Sequence, residues 1–305
     1  MVSFFERLFF KPSFFDWALI FLLSPLSLLY GSLMLIRRLA TSKKSYSIPI
    51  ISIGNLTVGG SGKTPFVIAL ADRYEDVTII SRGYGRQSKG LIEVSRRGKI
   101  LTDVFNSGDE PMLMATSLIN ASVIVSENRE EAIELAIKEG SKVIFLDDGF
   151  NRVNIKKYDI LLFPERILNY MTFPAGPFRE FYPSKGFSDI NLYENIDFKR
   201  VVNTDNETDK MLLVTAISNP ERLEPYLPKN VVSKFYLEDH AYFNEEKLKE
   251  KLLISGASSL LVTEKDEVKM KDFKLPLSVM QLKLQIKNEV LENVDKYIRE
   301  YKYEK

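Results

Sequence analysis

From Ile48 onward the chain alternates short apolar runs with stretches of helical periodicity, the rhythm of a parallel sheet covered by helices. The pattern predicts strands at 48–53 (IPIISI), 77–81, 122–126, 142–147 (KVIFLD) and 159–163, with helices at 63–75, 109–120 and 129–139 between them. In REEAIELAIKE (129–139) the apolar positions recur at helical spacing and acids occupy the first turn, where the helix dipole favours them. The segment 170–188 is rich in proline, glycine and aromatics and predicts a structured loop able to hold a ligand. A polar run at 203–210 predicts a surface turn or linker, beyond which strands at 211–216, 231–236 and 259–263 and a helix near 244–253 form a smaller α/β unit. The resulting division is 1–44, 45–200 and 201–305.

The first forty residues break this rhythm. Trp17 to Ile36 carries no charged residue and reaches the roughly 20 residues needed to cross a bilayer. Pro25 and Gly31 are expected to interrupt a helix there, and basic residues on both flanks (Arg7 and Lys11, then Arg37 and Arg38) both prefer the cytoplasmic face. The segment is therefore read as a helical anchor that dips into or lies along the membrane, with a full span or a buried core helix as the alternatives, and not as a cleaved signal peptide.

Composition narrows the chemistry. Forty-two basic residues nearly balance 41 acidic ones, so no global field points to nucleic acid. The absence of cysteine excludes thiolate metal sites and a cysteine nucleophile, and a single histidine, His240, excludes a multi-histidine zinc site.

What remains is phosphate chemistry. Thr57, Val58, Gly59, Gly60, Ser61, Gly62, Lys63 and Thr64 follow an apolar strand and open a helix, the setting a P-loop requires. Glycines let backbone N–H groups turn inward around phosphate oxygens, and the helix N-terminus adds partial positive charge. Lys63 would hold the β- and γ-phosphates of ATP, and the Thr64 hydroxyl would ligate Mg²⁺. Thr57 stands where a strict motif has glycine. VIFLDDGF places Asp147 and Asp148 at the carboxyl edge of the sheet, a Walker B arrangement able to hold the same ion, while Asp148-Gly149 also suits a turn.

Other segments are more open. Asp109 in GDEP suits a helix cap on spacing alone. SRGYGR (81–86) closes a strand with Arg82 and Arg86, which fits either an anion contact or a plain turn. His240 in LEDHAYF is equally a buried hydrogen-bonding residue or a catalytic one. In TEKD (263–266) the lysine stands one place late for the guanine-reading motif of GTPases.

Taken in order, ISIGNLTVGGSGKTP, SRGYGR, GDEP, VIFLDDGF, PAGPFRE, SNPERL, DHAYF and TEKD resemble the tetraacyldisaccharide 4'-kinase family of lipid A biosynthesis across most of the chain. The resemblance implies a P-loop α/β domain joined to a smaller α/β domain, with an N-terminal membrane-associated helical segment and the active site in the cleft between domains. It implies transfer of the γ-phosphate of ATP to the 4'-hydroxyl of a lipid disaccharide 1-phosphate, at the cytoplasmic face of the inner membrane of a Gram-negative bacterium. It makes Asp109 the base that takes the hydroxyl proton, working with His240. It adds Glu180 to Asp147, Asp148 and Thr64 as Mg²⁺ candidates, and Arg82 and Arg86 as phosphate or acceptor contacts. Membrane lipids are the other expected partner, with no obligate protein partner. The chain departs from the family at DDGFNR, where members carry DDGFQH, and at FREF, where a proline commonly follows the glutamate. The rival reading from another class is a membrane-associated regulatory P-loop NTPase switch.

Overall fold

The structure, a computed structural model, describes residues 4–59, 62–217 and 220–302. Two helices, α1 (Phe4–Phe10) and α2 (Asp16–Ala40), precede strand β1 (Ile50–Gly54) and helix α3 (Lys63–Ala71). Next come β2 (Val77–Ser81), β3 (Ile92–Arg96), β4 (Lys99–Ile100), α4 (Val104–Ser107), α5 (Asp109–Ser117), β5 (Ser122–Val125) and α6 (Arg129–Lys138). Strands β6 (Val143–Asp147), β7 (Tyr158–Phe163), β8 (Ile190–Tyr193), β9 (Phe198–Asp205), β10 (Met211–Thr215) and β11 (Val231–Tyr236) follow. The chain ends with α7 (Glu245–Ser255), β12 (Ser259–Thr263), α8 (Glu264–Glu267), β13 (Leu277–Ile286) and α9 (Asn288–Glu300).

Backbone proximity groups these elements into two compact units, 1–67 with 136–199 and 286–305, and 68–135 with 200–285. They interleave along the chain, a different partition from the linear segments 1–44, 45–200 and 201–305.

In the first unit, strands run parallel in the order β6-β1-β7-β8. Every residue of β1 and β6 is buried, which is why both are dominated by apolar residues, Ser52 and the terminal Asp147 apart, and do not alternate. The register sets Ile53 of β1 opposite Asp147 of β6, so the chain leaves β1 for the phosphate loop beside the acids that end β6. The last helix returns to this sheet, where the Tyr297 hydroxyl donates to the Ile50 carbonyl and the Tyr301 hydroxyl to that of Tyr46.

The second unit holds strands in the order β4-β3-β5-β2 and a five-stranded sheet in the order β11-β10-β12-β13-β9. In the latter, β10 pairs in parallel with β11 and β12, and β12 with β13. Its core gathers Leu212, Val214, Leu248, Leu260, Val262 and Met270. The polar run at 203–210 is only partly a turn, because β9 extends through Asp205. The β3–β4 hairpin was not anticipated. It turns on Arg97 and Gly98, both at positive φ, and its short strands carry too few apolar residues to stand out.

Pro25 and Gly31 do not interrupt α2, which runs unbroken for 25 residues, about 37 Å. Proline leaves the carbonyl four residues earlier without its helical donor, and here the Ser24 hydroxyl donates to that Phe21 carbonyl at 2.8 Å. Gly31 is where Phe181 packs: a Cβ there would lie 2.4 Å from the Phe181 ring. The buried positions Asp16, Ile20, Ser27, Gly31 and Arg38 recur at steps of four and seven, forming one narrow seam. Ser27 and Thr172 exchange hydrogen bonds across it, each hydroxyl donating to the other's carbonyl at 2.6 Å. The rest of the helix exposes Phe21, Leu22, Leu26, Leu29, Leu33 and Ile36. Among the described residues, α2 is the one helix long and apolar enough to cross a membrane.

Because Gly31 lies under an aromatic ring, Gly31→Val is expected to lower stability by about 1–3 kcal/mol through overpacking. Thermal unfolding in detergent measures this, with the exposed Leu29→Val as the comparison that should change little.

Candidate active site

In the first unit, Asn55 is the buried residue that follows β1, and its side-chain oxygen accepts from Lys63 Nζ at 3.0 Å. Lys63 also lies 3.4 Å from Asp148, whose other oxygen accepts from Arg179 at 2.9 Å. The lysine is thus held at the first position of α3 by one amide and one carboxylate. Desolvation works against the Asp148 anion, but the charges of Lys63 and Arg179 outweigh it and hold the carboxyl below its ordinary range. Gly59 and Gly62 both adopt positive φ, the conformation that requires glycine in this loop. Gly60 and Ser61 lie outside the described residues. Thr57 and Thr64 are buried, and Asp147 is buried at the end of β6.

The PAGPFRE segment explains how the loop is held. Val58 N–H donates to the Pro177 carbonyl at 2.8 Å and Arg179 N–H to the Leu56 carbonyl at 2.7 Å, pairing the phosphate loop's entry to this segment in antiparallel fashion. The same pairing delivers Arg179 to Asp148. Two glycines seat the acidic loop: a Cβ on Gly54 would meet Phe150 at 2.7 Å, and one on Gly149 would meet Ser52 Oγ at 2.6 Å.

Glu180, expected among the Mg²⁺ candidates, is committed elsewhere. Both its oxygens accept from Arg38 of α2 at 2.7 Å, and both side chains are buried. Arg38 also donates to the Phe150 carbonyl and lies over the Phe150 ring, 4.0 Å from its centroid. Arg38 is therefore a structural clamp and not a free flanking charge, whereas Arg37 is exposed and donates to the Asn151 carbonyl.

In the second unit, Asp109 begins α5 with Gly108 as the N-cap. Its Oδ1 accepts the first-turn N–H of Glu110 at 3.0 Å, and the carboxylate also meets His240 Nδ1 at 3.0 and 2.9 Å, Lys269 Nζ at 3.1 Å and Lys265 Nζ at 3.6 Å. Burial alone would raise the Asp109 carboxyl, yet the His240 hydrogen bond and the charges of Lys265 and Lys269 prevail and hold it far below the carboxylate range. His240 adopts a left-handed backbone, φ +60°, which costs about 1–3 kcal/mol for such a residue. Its N–H is fixed to the Ala216 carbonyl at 2.9 Å.

SRGYGR packs onto this pair. Gly85 lies against the imidazole, where a Cβ would sit 3.4 Å from Nδ1, and the Tyr84 ring stands 5.0 Å from the imidazole centroid. A Cβ on Gly108 would meet the Tyr84 carbonyl at 2.9 Å, so glycines on both sides let the SRGYGR and GDEP segments abut. Arg86 is bound to Glu127 at 2.6 Å and to the Gly90 carbonyl at 2.7 Å, while Arg82 is exposed.

The model of the tetraacyldisaccharide-1-P 4'-kinase family matches residues 19–193 and 185–299. A tetraacyldisaccharide 4'-kinase from Helicobacter acinonychis is 49% identical over 302 residues, 98% of this chain and 96% of that protein. Another from Aliarcobacter butzleri is 44% identical over 97% of each chain. This chain belongs to the tetraacyldisaccharide-1-P 4'-kinase family. Among solved structures, that of "apo" form LpxK from Aquifex aeolicus in complex with ATP matches with a TM-score of 0.78 at 26% identity, covering 92% of this chain and 99% of that one.

Within this family member, sequence reading missed four residues of the two clusters: Asn55, Arg179, Lys265 and Lys269. Arg179 and Lys265 lie inside segments already singled out, PAGPFRE and TEKD, but no spacing rule says which charge a loop will meet. Asn55 alone left a signal, as a polar residue directly after the largely apolar IISIG strand.

Removing Arg38 would strand a buried carboxylate. Arg38→Met is expected to cost about 3–5 kcal/mol, and adding Glu180→Gln should recover part of that. Denaturant unfolding of the three proteins reads both effects.

Proposed function

We propose that this chain transfers the γ-phosphate of ATP to the 4'-hydroxyl of a tetraacyl glucosamine disaccharide 1-phosphate, giving lipid IVA. The observation that carries the reading is the contact of Asp109 with His240, 131 positions apart in the chain. A nucleotide switch has no need of a buried carboxylate–imidazole pair. A kinase acting on a sugar hydroxyl does, because that hydroxyl is a poor acid and a positioned base typically contributes about 10²–10⁴-fold.

In this reading the acceptor hydroxyl gives its proton to Asp109 as its oxygen attacks the γ-phosphorus, and the bond to the β–γ bridging oxygen breaks to release ADP. The transition state spreads charge over the phosphoryl oxygens, so the protein's contribution is position and positive charge. Lys63 and the amides of the Thr57–Thr64 loop supply both. Asn55 and Asp148 preorganise the lysine, and His240 orients the Asp109 carboxylate.

Mg²⁺ fits the residues present. Thr64, Asp147 and Asp148 offer the hard oxygen donors it takes, and it needs only one or two from protein when phosphates and water complete its shell. Among the described residues no group of three or more His, Asp or Glu side chains forms an all-protein metal site. When bound, the ion would help neutralise the charge that develops on the phosphates during transfer. Glu180 is left out of this set, because its carboxylate is buried and held bidentate by Arg38, whereas Asp148, though paired with Lys63 and Arg179, stays partly open to solvent.

The acceptor's four acyl chains keep it in a bilayer, so the enzyme must work at the membrane. Helix α2 is suited to lying in the cytoplasmic interface of the inner membrane. Its buried seam holds it against the first unit from Asp16 to Arg38, which opposes a perpendicular span, while its outer face is apolar.

Incubation with labelled ATP and the lipid disaccharide 1-phosphate in detergent tests the reaction. Asp109→Ala is expected to lower turnover by about 10²–10⁴-fold with ATP binding retained, and His240→Ala by less. Absence of label on the lipid while ATP binds, or hydrolysis undiminished without lipid, would overturn the kinase reading. For the membrane, Leu22→Glu combined with Leu29→Glu is expected to cut cosedimentation with anionic vesicles by about tenfold or more. Unchanged cosedimentation would remove α2 from the membrane contact.

A further inference from the structure

The segment TEKDEVK, Thr263–Lys269, has no part in the phosphate loop or in proton removal as described above. Its two lysines nevertheless converge on Asp109. Lys269 Nζ lies 3.1 Å and Lys265 Nζ 3.6 Å from the same carboxylate oxygen, Oδ2. Oδ1 accepts from the Glu110 N–H and shares His240 Nδ1. Lysine is seldom fully buried unless paired, yet the Lys269 side chain is only 2% exposed. Its ammonium is fixed further by the Ala241 carbonyl at 3.3 Å and lies 5.9 and 5.8 Å from the ring centroids of Tyr242 and Phe243. Such a site is built to hold one cation in one place.

Contact between a carboxylate and an imidazole favours protonation of the ring. Once the pair is carboxylate and imidazolium, neither partner takes another proton readily. A fixed ammonium on the opposite side of the carboxylate offsets that pull and repels a charged ring. We propose that Lys269, assisted by Lys265, is a positioning residue for the Asp109–His240 pair, compensating the carboxylate at Oδ2 so that the pair meets the acceptor hydroxyl still able to take its proton. The other groups facing the pair fit this role. Asp239 lies 3.7 Å from His240 Nε2 and is well exposed, Glu110 engages Lys265 at 3.0 Å, and the Tyr84 ring covers the imidazole. Asp266, buried near Lys269, is itself held by the Thr215 and Thr263 hydroxyls, and Tyr242 feels the Asp109 charge. Among the described residues, Lys269 and Lys265 are cations set directly against the carboxylate of the pair.

The inference rests on the kinase reading, but one of its tests does not need the reaction. His240 is the one histidine in the chain, so imidazole NMR of the full-length protein in detergent follows a single ring. Lys269→Met is expected to move the midpoint of that titration upward by about two pH units, the effect at an effective dielectric near 20 of removing an ammonium that shares Oδ2 with Nδ1, at 3.1 and 2.9 Å. The ascending limb of the kcat–pH profile should move with it, and kcat at neutral pH should fall about 10–100-fold while the KM for ATP stays within about twofold. Lys269→Arg should restore both positions, and Lys265→Met should shift them in the same direction by less. An unmoved titration, or a kcat loss accompanied only by a lower melting temperature, overturns the proposal. Should Lys269→Met fail to fold, Lys265→Met carries the test, and no shift there overturns it equally. Absence of phosphate transfer by the wild-type protein would instead sink the kinase reading, and the imidazole titration would still decide the role of the lysines.

Discussion

The buried pair of Arg38 and Glu180 is the joint on which the nucleotide-binding unit depends. Taking both charges out of water is costly, and the bidentate geometry with an added bond to the Phe150 carbonyl offsets that cost. Through this joint helix α2 is tied to the acidic DDGF turn and to the PAGPFRE segment. PAGPFRE in turn pairs with the entry of the phosphate loop and presents Arg179 to Asp148, which holds Lys63. The long apolar helix α2 and Lys63 are thereby linked through a short series of polar contacts within one unit. A lipid kinase gains from such rigidity, since its loop is positioned by the same helix that would meet the bilayer.

The second unit solves a different problem, which is to keep a carboxylate both buried and useful. Its glycines matter because segments must come close: Gly85 against the imidazole, and Gly108 against the Tyr84 carbonyl. The left-handed backbone of His240 is held by the Ala216 carbonyl, and Ala216 N–H is bound by the buried Asp266. Strain at the histidine is thus supported by polar contacts from β10 and the TEKDEVK segment, the same segment that brings the lysines to Asp109.

Much of this was legible in the chain. Strands β2, β11 and β12 lie where the apolar runs place them, and α6 within one residue, because full burial and helical amphipathicity both write themselves into local pattern. The elements that were missed are those whose signal is weak. The β3–β4 hairpin is short and half-exposed, and β9 runs into polar residues because an exposed strand needs no apolar alternation. The expected break in α2 failed because Ser24 replaces the bond that Pro25 removes and Gly31 serves packing, neither of which a propensity rule contains.

The sequence by itself determined the order of strand, phosphate loop and helix, the acids at the end of β6, the long uncharged N-terminal run and the family. These are local features, carried by residues within a few positions of one another. Tertiary structure alone decided the pairings: Glu180 with Arg38 in place of a metal, Asp109 with His240 and two lysines beyond its contact with the helix's first turn, and Asn55 and Arg179 around Lys63 and Asp148. The physical reason is that a charged side chain's role depends on which opposite charge shares its low-dielectric surroundings, and that partner, whether 31 or 142 positions away, leaves no trace in spacing.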